Sequence, residues 1–386
     1  MQQKKAYTYR IYPTAEQVHI LARTFGCCRS VYNWALRQRT DAYYKDGERL
    51  YYEATAQRLT SLKKQADHVW LNDISSVPLQ QSLRHLDTAF RHFFEGRAQY
   101  PKFHKKHGEQ AATYASTAFK WDGTSLTLAK MSEPLTIVLS RPLPKGAKPS
   151  TVTVSKDGAN RYFVSLLLEE DIKPLPVVNK QVGLDLGLKS MVVSSDGYTY
   201  GHPKFFAKDE KKLAQAQRRQ TRKKKGSQNR AKARHKVAKI HAKIADRRRD
   251  YQHKLSTHII RENQIVCVES LQVKNMVQNH SLAKAISDVG WGEFVRQLEY
   301  KAKWYGRTLV RIDKFYPSSK RCFDCGHVLD TLSLDVRVWT CPECGVIHDR
   351  DINAAQNIHA AGLTVFDACG EAVRPGRAKA RVGKPR

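Results

Sequence analysis

Residues 182–187 read Val-Gly-Leu-Asp-Leu-Gly, an apolar run that is interrupted by a single acid, Asp185. A short apolar run of this kind predicts a buried β-strand. An isolated carboxylate in such a strand is unfavourable unless it is paired or binds a metal. Residues 190–194 and 198–200, joined by Ser-Asp-Gly at 195–197, continue the strand as a hairpin. The stretch therefore predicts the start of a sheet that carries an acidic functional residue.

Two further acids follow at comparable places. An apolar strand over residues 264–268 ends at Glu269, and Asp351 stands at the start of a final helix predicted over residues 351–363. The first and third strands of such a sheet can lie side by side, and a terminal helix can add a third carboxylate. Three converging carboxylates would hold two magnesium ions about 3.5–4 Å apart for phosphodiester hydrolysis. Asp185, Glu269 and Asp351 are the predicted catalytic and magnesium-binding residues.

Asp349 competes with Asp351 for the third position. We choose Asp351 because it opens the helix, and because Asn353 and the small alanines at 354–355 would let that helix pack closely on the sheet. Asp349 is expected to cap the turn or to pair with Arg350.

Four cysteines form two Cys-x-x-Cys pairs with fifteen residues between the inner cysteines; they are Cys322, Cys325, Cys341 and Cys344. Two such pairs complete a closed tetrahedral thiolate shell, so this spacing predicts a structural zinc ion. A glycine after each pair, Gly326 and Gly345, allows the turn its unusual backbone. Cys267 lies inside the third strand and is expected to pack as a small apolar residue.

The chain is strongly basic: 67 Lys and Arg residues stand against 36 Asp and Glu residues, a net charge of +31. Solubility needs a net charge of only about 2–8, so a polyanionic partner is expected. Residues 204–254 form a basic helical region with 20 Lys and Arg and four acids, which suits a phosphate track. No apolar run is long enough to span a bilayer and no signal sequence begins the chain, so we expect no membrane partner and a location inside the cell.

The N-terminal half changes character along its length. A strand over residues 6–12 precedes helical patterns that start at a capping box, Thr14 with Gln17. From about residue 100 short strands follow, divided by Asp-Gly turns at 122–123 and 157–158. We expect a small β-barrel that the first strand joins, so that the helical bundle is an insertion within it.

Several motifs together resemble the TnpB family, which insertion sequences of bacteria and archaea encode. They are Gly-Leu-Asp-Leu-Gly at 183–187, Glu-Ser-Leu at 269–271, Phe-Tyr-Pro-Ser-Ser-Lys at 315–320 and Asp-Arg-Asp-Ile-Asn-Ala-Ala-Gln-Asn-Ile at 349–358. The resemblance covers nearly the whole chain, including Tyr-Arg-Ile-Tyr-Pro-Thr at 9–14 and Trp-Gly-Glu-Phe at 291–294. TnpB proteins resemble compact ancestors of type V CRISPR effectors.

The resemblance implies an RNA-guided DNA endonuclease that works in the prokaryotic cytoplasm with a transposon-encoded guide RNA and a double-stranded DNA target, and not on a small molecule. The fold class it implies is α/β and multidomain, with an RNase-H-like (RuvC) core that contains a zinc-ribbon insertion and follows a β-barrel interrupted by a helical bundle. The expected parts are a wedge-like barrel (1–13 and 96–178), a helical recognition lobe (14–95), a RuvC-like nuclease (181–313 and 346–365), a zinc ribbon (314–345) and a basic disordered tail (366–386).

Such proteins delegate sequence choice to guide pairing and read only a short flanking DNA motif. Gln80 lies off the apolar stripe near a helix start, and glutamine can pair with adenine in the major groove. Tyr52 and Ser76 are its expected neighbours in motif reading. Two other functions remain open: a DNA-binding regulator that does not cleave, and a transposase that uses the same sheet for strand transfer.

Overall fold

The computed structural model describes residues 2–106, 108–333 and 335–368, which fold into two compact units of mixed α/β structure. The first unit comprises the chain up to Asp171 together with residues 224–239, and the second comprises residues 172–223 and the chain from Ile240 onward. Within the described ranges, every helix is too short or too polar to cross a lipid bilayer.

The first unit contains a five-stranded sheet with a small hairpin. The strands are β1 (Gln2–Ile11), β2 (Gln110–Ala115), β3 (Phe119–Trp121), β4 (Leu126–Leu128), β5 (Ile137–Val138), β6 (Thr151–Lys156) and β7 (Tyr162–Asp171). They pair in the order β2-β6-β7-β1-β5, and β3 pairs with β4. Because β1 pairs along its whole length with β7, the expectation that the first strand joins the later strands is confirmed. A closed barrel stays a prediction.

Three helices lie between β1 and β2: α1 (Ala15–Asp46), α2 (Tyr52–Leu62) and α3 (Ser76–Phe94), with a 3₁₀ segment over Ala66–Asp73. The predicted capping box begins α1, because Thr14 and Gln17 exchange side-chain to backbone hydrogen bonds. The apolar stripe of α3 is buried as expected, at Leu79, Leu83, Leu86 and Phe90. These helices therefore pack around a shared apolar core.

The second unit is built on another five-stranded sheet. Its strands are β8 (Gln181–Asp185), β9 (Ser190–Ser194), β10 (Thr199–Gly201), β11 (Ile265–Glu269) and β12 (Thr308–Ile312), in the order β10-β9-β8-β11-β12. The strands β8, β9 and β10 form an antiparallel meander. The strand β11 runs parallel to both β8 and β12. The prediction that the strand of Asp185 lies beside the strand of Glu269 is therefore confirmed.

Six helices and a second hairpin remain among the described residues, and the helix that begins at Gln228 belongs to the first unit as far as residue 239. They are α4 (Phe205–Thr221), α5 (Gln228–Glu262), α6 (Val273–Met276), α7 (Ala283–Val289), α8 (Trp291–Tyr305), the hairpin strands β13 (Val338–Thr340) and β14 (Ile347–Asp349), and α9 (Arg350–Ala368). The basic region is divided into α4 and α5 by a turn that contains Gly226 at φ +82°. Glycine adopts this left-handed backbone without steric cost.

The last helix is longer than the sequence suggested. We expected it to end at Leu363, but α9 continues to Ala368 and so takes the first three residues of the expected disordered tail. Phe366 packs beside the buried cluster around Cys267 and Ile358, which extends the apolar stripe of the helix. The rest of the expected tail, residues 369–386, lies outside the described residues.

Candidate active site and metal centre

Asp185 and Glu269 end two adjacent parallel strands. Leu184 of β8 is in register with Val268 of β11, so the next residue of each strand, Asp185 and Glu269, reaches the same edge of the sheet. The carboxyl ends of parallel strands are the edge where open α/β sheets place their ligands. Both side chains are partly buried there. The structure thus brings the first two predicted acids together.

Asp351 reaches this edge from the first turn of α9, which packs on β8 and β11. Asp349 accepts hydrogen bonds from the backbone N–H groups of Asp351 (3.0 Å) and Ile352 (2.9 Å), so the prediction that Asp349 caps the turn is confirmed. Arg337 donates from Nη1 to both carboxylate oxygens of Asp351, at 3.0 and 3.3 Å. Sequence reasoning missed Arg337, because its position in the zinc segment (residues 314–345) gives no signal of the contact.

The charges of the three acids act on one another. Burial, which is the largest cause, and the negative charges of Glu269 and Asp351 together raise the pKa of Asp185 to about 8, although Arg350 and Arg337 oppose the shift. Burial also raises the pKa of Glu269, against a hydrogen bond from the Ser318 hydroxyl. A partly desolvated group of carboxylates in which one holds its proton near neutral pH is a site with an unmet demand for positive charge.

A divalent cation would supply the positive charge that these carboxylates lack, since hard cations prefer carboxylate oxygens as ligands. Within the described ranges, two groups of side chains have ligand atoms that all lie within 4.8 Å of one another: the four paired cysteines, and Cys322 with Asp324 and His348. The three carboxylates do not form such a group. Arg337 holds Asp351 and Ser318 holds Glu269 in the arrangement seen here. The three acids therefore share an electrostatic environment at one edge without the spacing of a closed ligand shell.

The four predicted zinc ligands do form such a set. The Sγ atoms of Cys322, Cys325, Cys341 and Cys344 all lie within 4.8 Å of one another. Cys322 is 3.6 Å from Cys344, and Cys325 is 3.6 Å from Cys341. Four thiol groups at one point form the donor set of a closed structural zinc site. A zinc ion held there would link the two turns and stabilise the hairpin of β13 and β14.

The two turns have the same backbone geometry. Gly326 N–H donates to the Cys322 carbonyl and Gly345 N–H to the Cys341 carbonyl, each at 2.9 Å. Both glycines have left-handed backbone, with φ of +80° and +72°, which confirms the reason for a glycine after each pair. Burial opposes ionisation of Cys341, but backbone N–H groups, together with contacts from the Cys325 and Cys344 side chains, lower the pKa of its thiol to about 6. A thiolate is the form that binds zinc.

His348 is a neighbour of this centre that sequence reasoning missed. Its Nε2 lies 3.0 Å from Cys322 Sγ, and its ring contacts Trp339 with ring centroids 4.7 Å apart. The imidazole and Trp339 are both buried. A ring nitrogen at this distance can donate a hydrogen bond to a thiolate. The signal was present in the sequence, since His348 directly precedes the Asp-Arg-Asp motif.

The expected motif readers lie together in the first unit. Ser76 and Gln80 are exposed one helical turn apart in the first turns of α3, and Arg84 follows one turn later on the same face. The Arg84 guanidinium lies 4.3 Å from the ring centroid of Tyr52, which begins α2. Arg84 was missed in the sequence, although its four-residue spacing from Gln80 would have indicated it.

The basic helices keep a large surplus of positive charge. The four acids between residues 204 and 254 each pair with a cation: Asp209 with Arg247, Glu210 with Lys284, Asp246 with Arg249 and Asp250 with Lys254. The 20 Lys and Arg residues of this region outnumber its four acids by 16, a surplus of positive charge that can attract a polyanion.

Family profiles match three parts of the chain. Residues 164–280 match OrfB_IS605, described as "Probable transposase". Residues 291–358, which include the zinc segment, match the Cas12f1-like TNB domain, and residues 1–48 match a helix-turn-helix domain of OrfB_IS605.

Two curated relatives are named "Putative RNA-guided DNA endonuclease". The protein from Streptomyces pristinaespiralis is 53% identical over 386 residues, which are 100% of this chain and 96% of the relative. InsQ of Escherichia coli K12 is 33% identical over 395 residues, with 98% of this chain and 96% of the relative covered. A Cas12f1 chain, solved by cryo-EM with sgRNA and target DNA, superposes with a TM-score of 0.59 at 12% identity, covering 93% of this chain and 99% of that one.

The fold and site define a mixed α/β protein with a zinc-ribbon-like cysteine cluster and a fold similar to that of Cas12f1. The chain belongs to the TnpB family of transposon-encoded proteins, as the sequence motifs indicated.

Proposed function

We propose that this protein is an RNA-guided DNA endonuclease. Its catalytic residues for the hydrolysis of target DNA would be Asp185, Glu269 and Asp351. The observation that carries the proposal is the register of β8 with β11, which sets Asp185 beside Glu269, together with the effect of Asp351 on the pKa of Asp185. The names of the full-length relatives support RNA guidance and DNA as the target. The net charge of +31 suits a chain that holds two nucleic acids.

The strand order supports an RNase-H-like, or RuvC-like, core. An antiparallel meander followed by two parallel strands, with acids at the end of the first and fourth strands and on the final helix, gathers three carboxylates at one edge. Two magnesium ions, when bound, would activate water and stabilise the leaving oxygen of the phosphodiester. The protein's own part is to hold the three carboxylates and to balance their charge with Arg337 and Arg350.

In our proposal, guide binding, motif reading and cleavage belong to different parts of the chain. A wedge-like barrel (1–13 and 96–178) and an inserted recognition lobe (14–95) would hold the guide RNA and read the flanking DNA motif. The nuclease (181–313 and 346–365) would cut, and the zinc ribbon (314–345) would support it. Exposure of Ser76 and Gln80, and the contact of Arg84 with Tyr52, support a reading surface at these residues. The two full-length relatives named above are bacterial, which supports work in the prokaryotic cytoplasm.

The test is cleavage by the purified ribonucleoprotein. The protein is expressed with the transcript that follows its gene, and the RNA that copurifies defines the guide. Plasmids with a matched or a mismatched target are then incubated with magnesium and with wild-type protein or Asp185→Ala. Cutting of the matched plasmid by the wild type alone supports the proposal. Binding without cutting by either protein would favour a regulator, and joining of free 3′ ends to a target would favour a transposase.

A further inference from the structure

The segment that links β12 to the first cysteine supplies Ser318, the residue that contacts Glu269 in the site. Residues 313–321, here called the linking loop, include the Phe-Tyr-Pro-Ser-Ser-Lys motif. Ser318 is a buried residue, with 6% of its surface exposed. Its hydroxyl donates a hydrogen bond to Oε1 of Glu269, which lies 49 residues earlier in the chain. A buried hydroxyl that faces one oxygen of a carboxylate restricts the rotation of that carboxylate.

The linking loop is itself fastened to α9. Asn357 donates from Nδ2 to the carbonyls of Ser318 (2.9 Å) and Arg321 (2.6 Å). Asn353 donates to the Arg321 carbonyl at 2.8 Å and accepts the Phe323 N–H at 3.0 Å. These two asparagines are 1% and 2% exposed, so their amide groups are committed to the loop.

The helix that fastens the loop also carries Asp351. Asn353 lies two residues and Asn357 six residues after Asp351, and Phe323 lies next to the zinc-ligand candidate Cys322. One chain of hydrogen bonds thus runs from the helix of Asp351, through the linking loop, to the carboxylate of Glu269. Buried networks in which every group is satisfied hold one arrangement rigidly.

We propose that Ser318 is a positioning residue for Glu269, and that Asn353 and Asn357 set the place of Ser318 relative to the helix of Asp351. The linking loop then fixes how two of the three carboxylates are presented to a divalent cation. This inference rests on the proposed function only in taking Glu269 and Asp351 as cation ligands. The Phe-Tyr-Pro-Ser-Ser-Lys motif then has a role in positioning Glu269, which zinc binding alone does not explain.

The experiment measures Mn²⁺ binding to the full-length chain by electron paramagnetic resonance, which needs no guide and no cleavage. Ser318→Ala removes the hydroxyl without adding bulk. We expect it to weaken Mn²⁺ binding about tenfold, within the range that outer partners of metal ligands contribute. Ser333→Ala is the matched control, because its hydroxyl bonds to Asp335 within the zinc segment, and it should bind Mn²⁺ like the wild type.

A second variant tests the chain of contacts. Asn357→Ala should also weaken Mn²⁺ binding. The double variant, Ser318→Ala with Asn357→Ala, should bind Mn²⁺ as tightly as the single variant that has the lower affinity, because both changes act through one hydrogen bond to Glu269. Zinc content is measured alongside and should stay at the wild-type value in Ser318→Ala. Mn²⁺ binding by Ser318→Ala within twofold of the wild type would overturn the inference, as would fully additive losses.

The proposed function and this inference fail separately. If the wild-type ribonucleoprotein does not cut DNA while Ser318→Ala still loses Mn²⁺ affinity, the function is wrong and the positioning role stands. If the wild type cuts and Ser318→Ala retains full Mn²⁺ affinity, the function stands and the positioning role is wrong.

Discussion

Gly183 in the middle of β8 lies so close to Ala355 of α9 that a Cβ atom on Gly183 would be 2.1 Å from the Ala355 carbonyl oxygen. The same atom would be 2.6 Å from the backbone nitrogen of His359. Neither neighbour can move without moving the helix, because both are backbone atoms. This contact therefore sets the distance between the strand of Asp185 and the helix of Asp351.

Gly183→Ala should consequently destabilise the protein by about 3 kcal/mol, at the upper end for overpacked sites, because α9 must move away from the sheet. Gly201→Ala is the matched control, since a Cβ at this position of β10 has no neighbour within 4 Å. Urea unfolding of the two variants measures the difference. Equal stability of both variants would show that the contact of strand and helix is not as close as described.

The pKa of Asp185 predicts how stability depends on pH without magnesium. The folded pKa of about 8 lies above the ordinary 3.8, so between these values the unfolded chain releases a proton that the folded chain keeps. The contribution of this group to stability is complete below about pH 4 and is lost as pH rises to 8. Asp185→Asn should therefore be more stable than the wild type by about 1–3 kcal/mol at pH 8, and little different at pH 4.

Urea unfolding at both pH values in magnesium-free buffer checks this. Asp250→Asn, at an exposed acid paired with Lys254, is the control and should show no such gain. A gain for Asp185→Asn that is the same at pH 4 and pH 8 would contradict the assigned protonation.

Zinc content is predicted to be one ion per chain, because four thiol groups form one donor set. Cys341→Ala should remove it and loosen the hairpin of β13 and β14, and Arg337, which directly precedes β13, should then hold Asp351 less firmly. Cys27→Ala, at a buried cysteine of α1, should keep the ion. Elemental analysis of the purified proteins measures the number of zinc ions per chain. Full zinc content in Cys341→Ala would show that the four cysteines do not bind one ion together.

The first turns of α3 are predicted to take part in reading the flanking motif. Gln80→Ala should lower the preference for the natural motif about tenfold, since one good base contact contributes about 1–3 kcal/mol of discrimination. Gln57→Ala, at an exposed glutamine of α2, should leave the preference unchanged. A plasmid library with a randomised flank measures both, and an unchanged preference in Gln80→Ala would remove this residue from the reading surface.

The sequence was most informative where one residue type meets one physical requirement. The run at 182–187 indicated a buried strand with an acid, and the cysteine spacing indicated the metal centre, because few other structures suit these patterns. Local capping at Thr14 and Asp349 was equally visible, since both partners lie within three residues. Elements with strong local signals could therefore be predicted one by one.

Contacts between distant residues were not visible in the same way. Nothing in the spacing of Ser318 indicates that it meets Glu269, or that Arg337 meets Asp351, because these pairs form only when α9 and the zinc segment pack on the sheet. The extension of α9 to Ala368 likewise depends on packing of Phe366 that no local pattern specifies. The supporting residues of the site thus came from the structure, and the acids from the sequence.

The central claim is that Asp185, Glu269 and Asp351 form one site of DNA hydrolysis. The most direct test is single-turnover cleavage of a guide-matched target by Asp185→Asn, Glu269→Gln and Asp351→Asn, which remove charge and keep shape. We predict that each variant binds guide RNA and target like the wild type, and cuts about 1,000-fold more slowly or worse. A variant that binds normally and cuts within tenfold of the wild-type rate would contradict the assignment of its residue to the site.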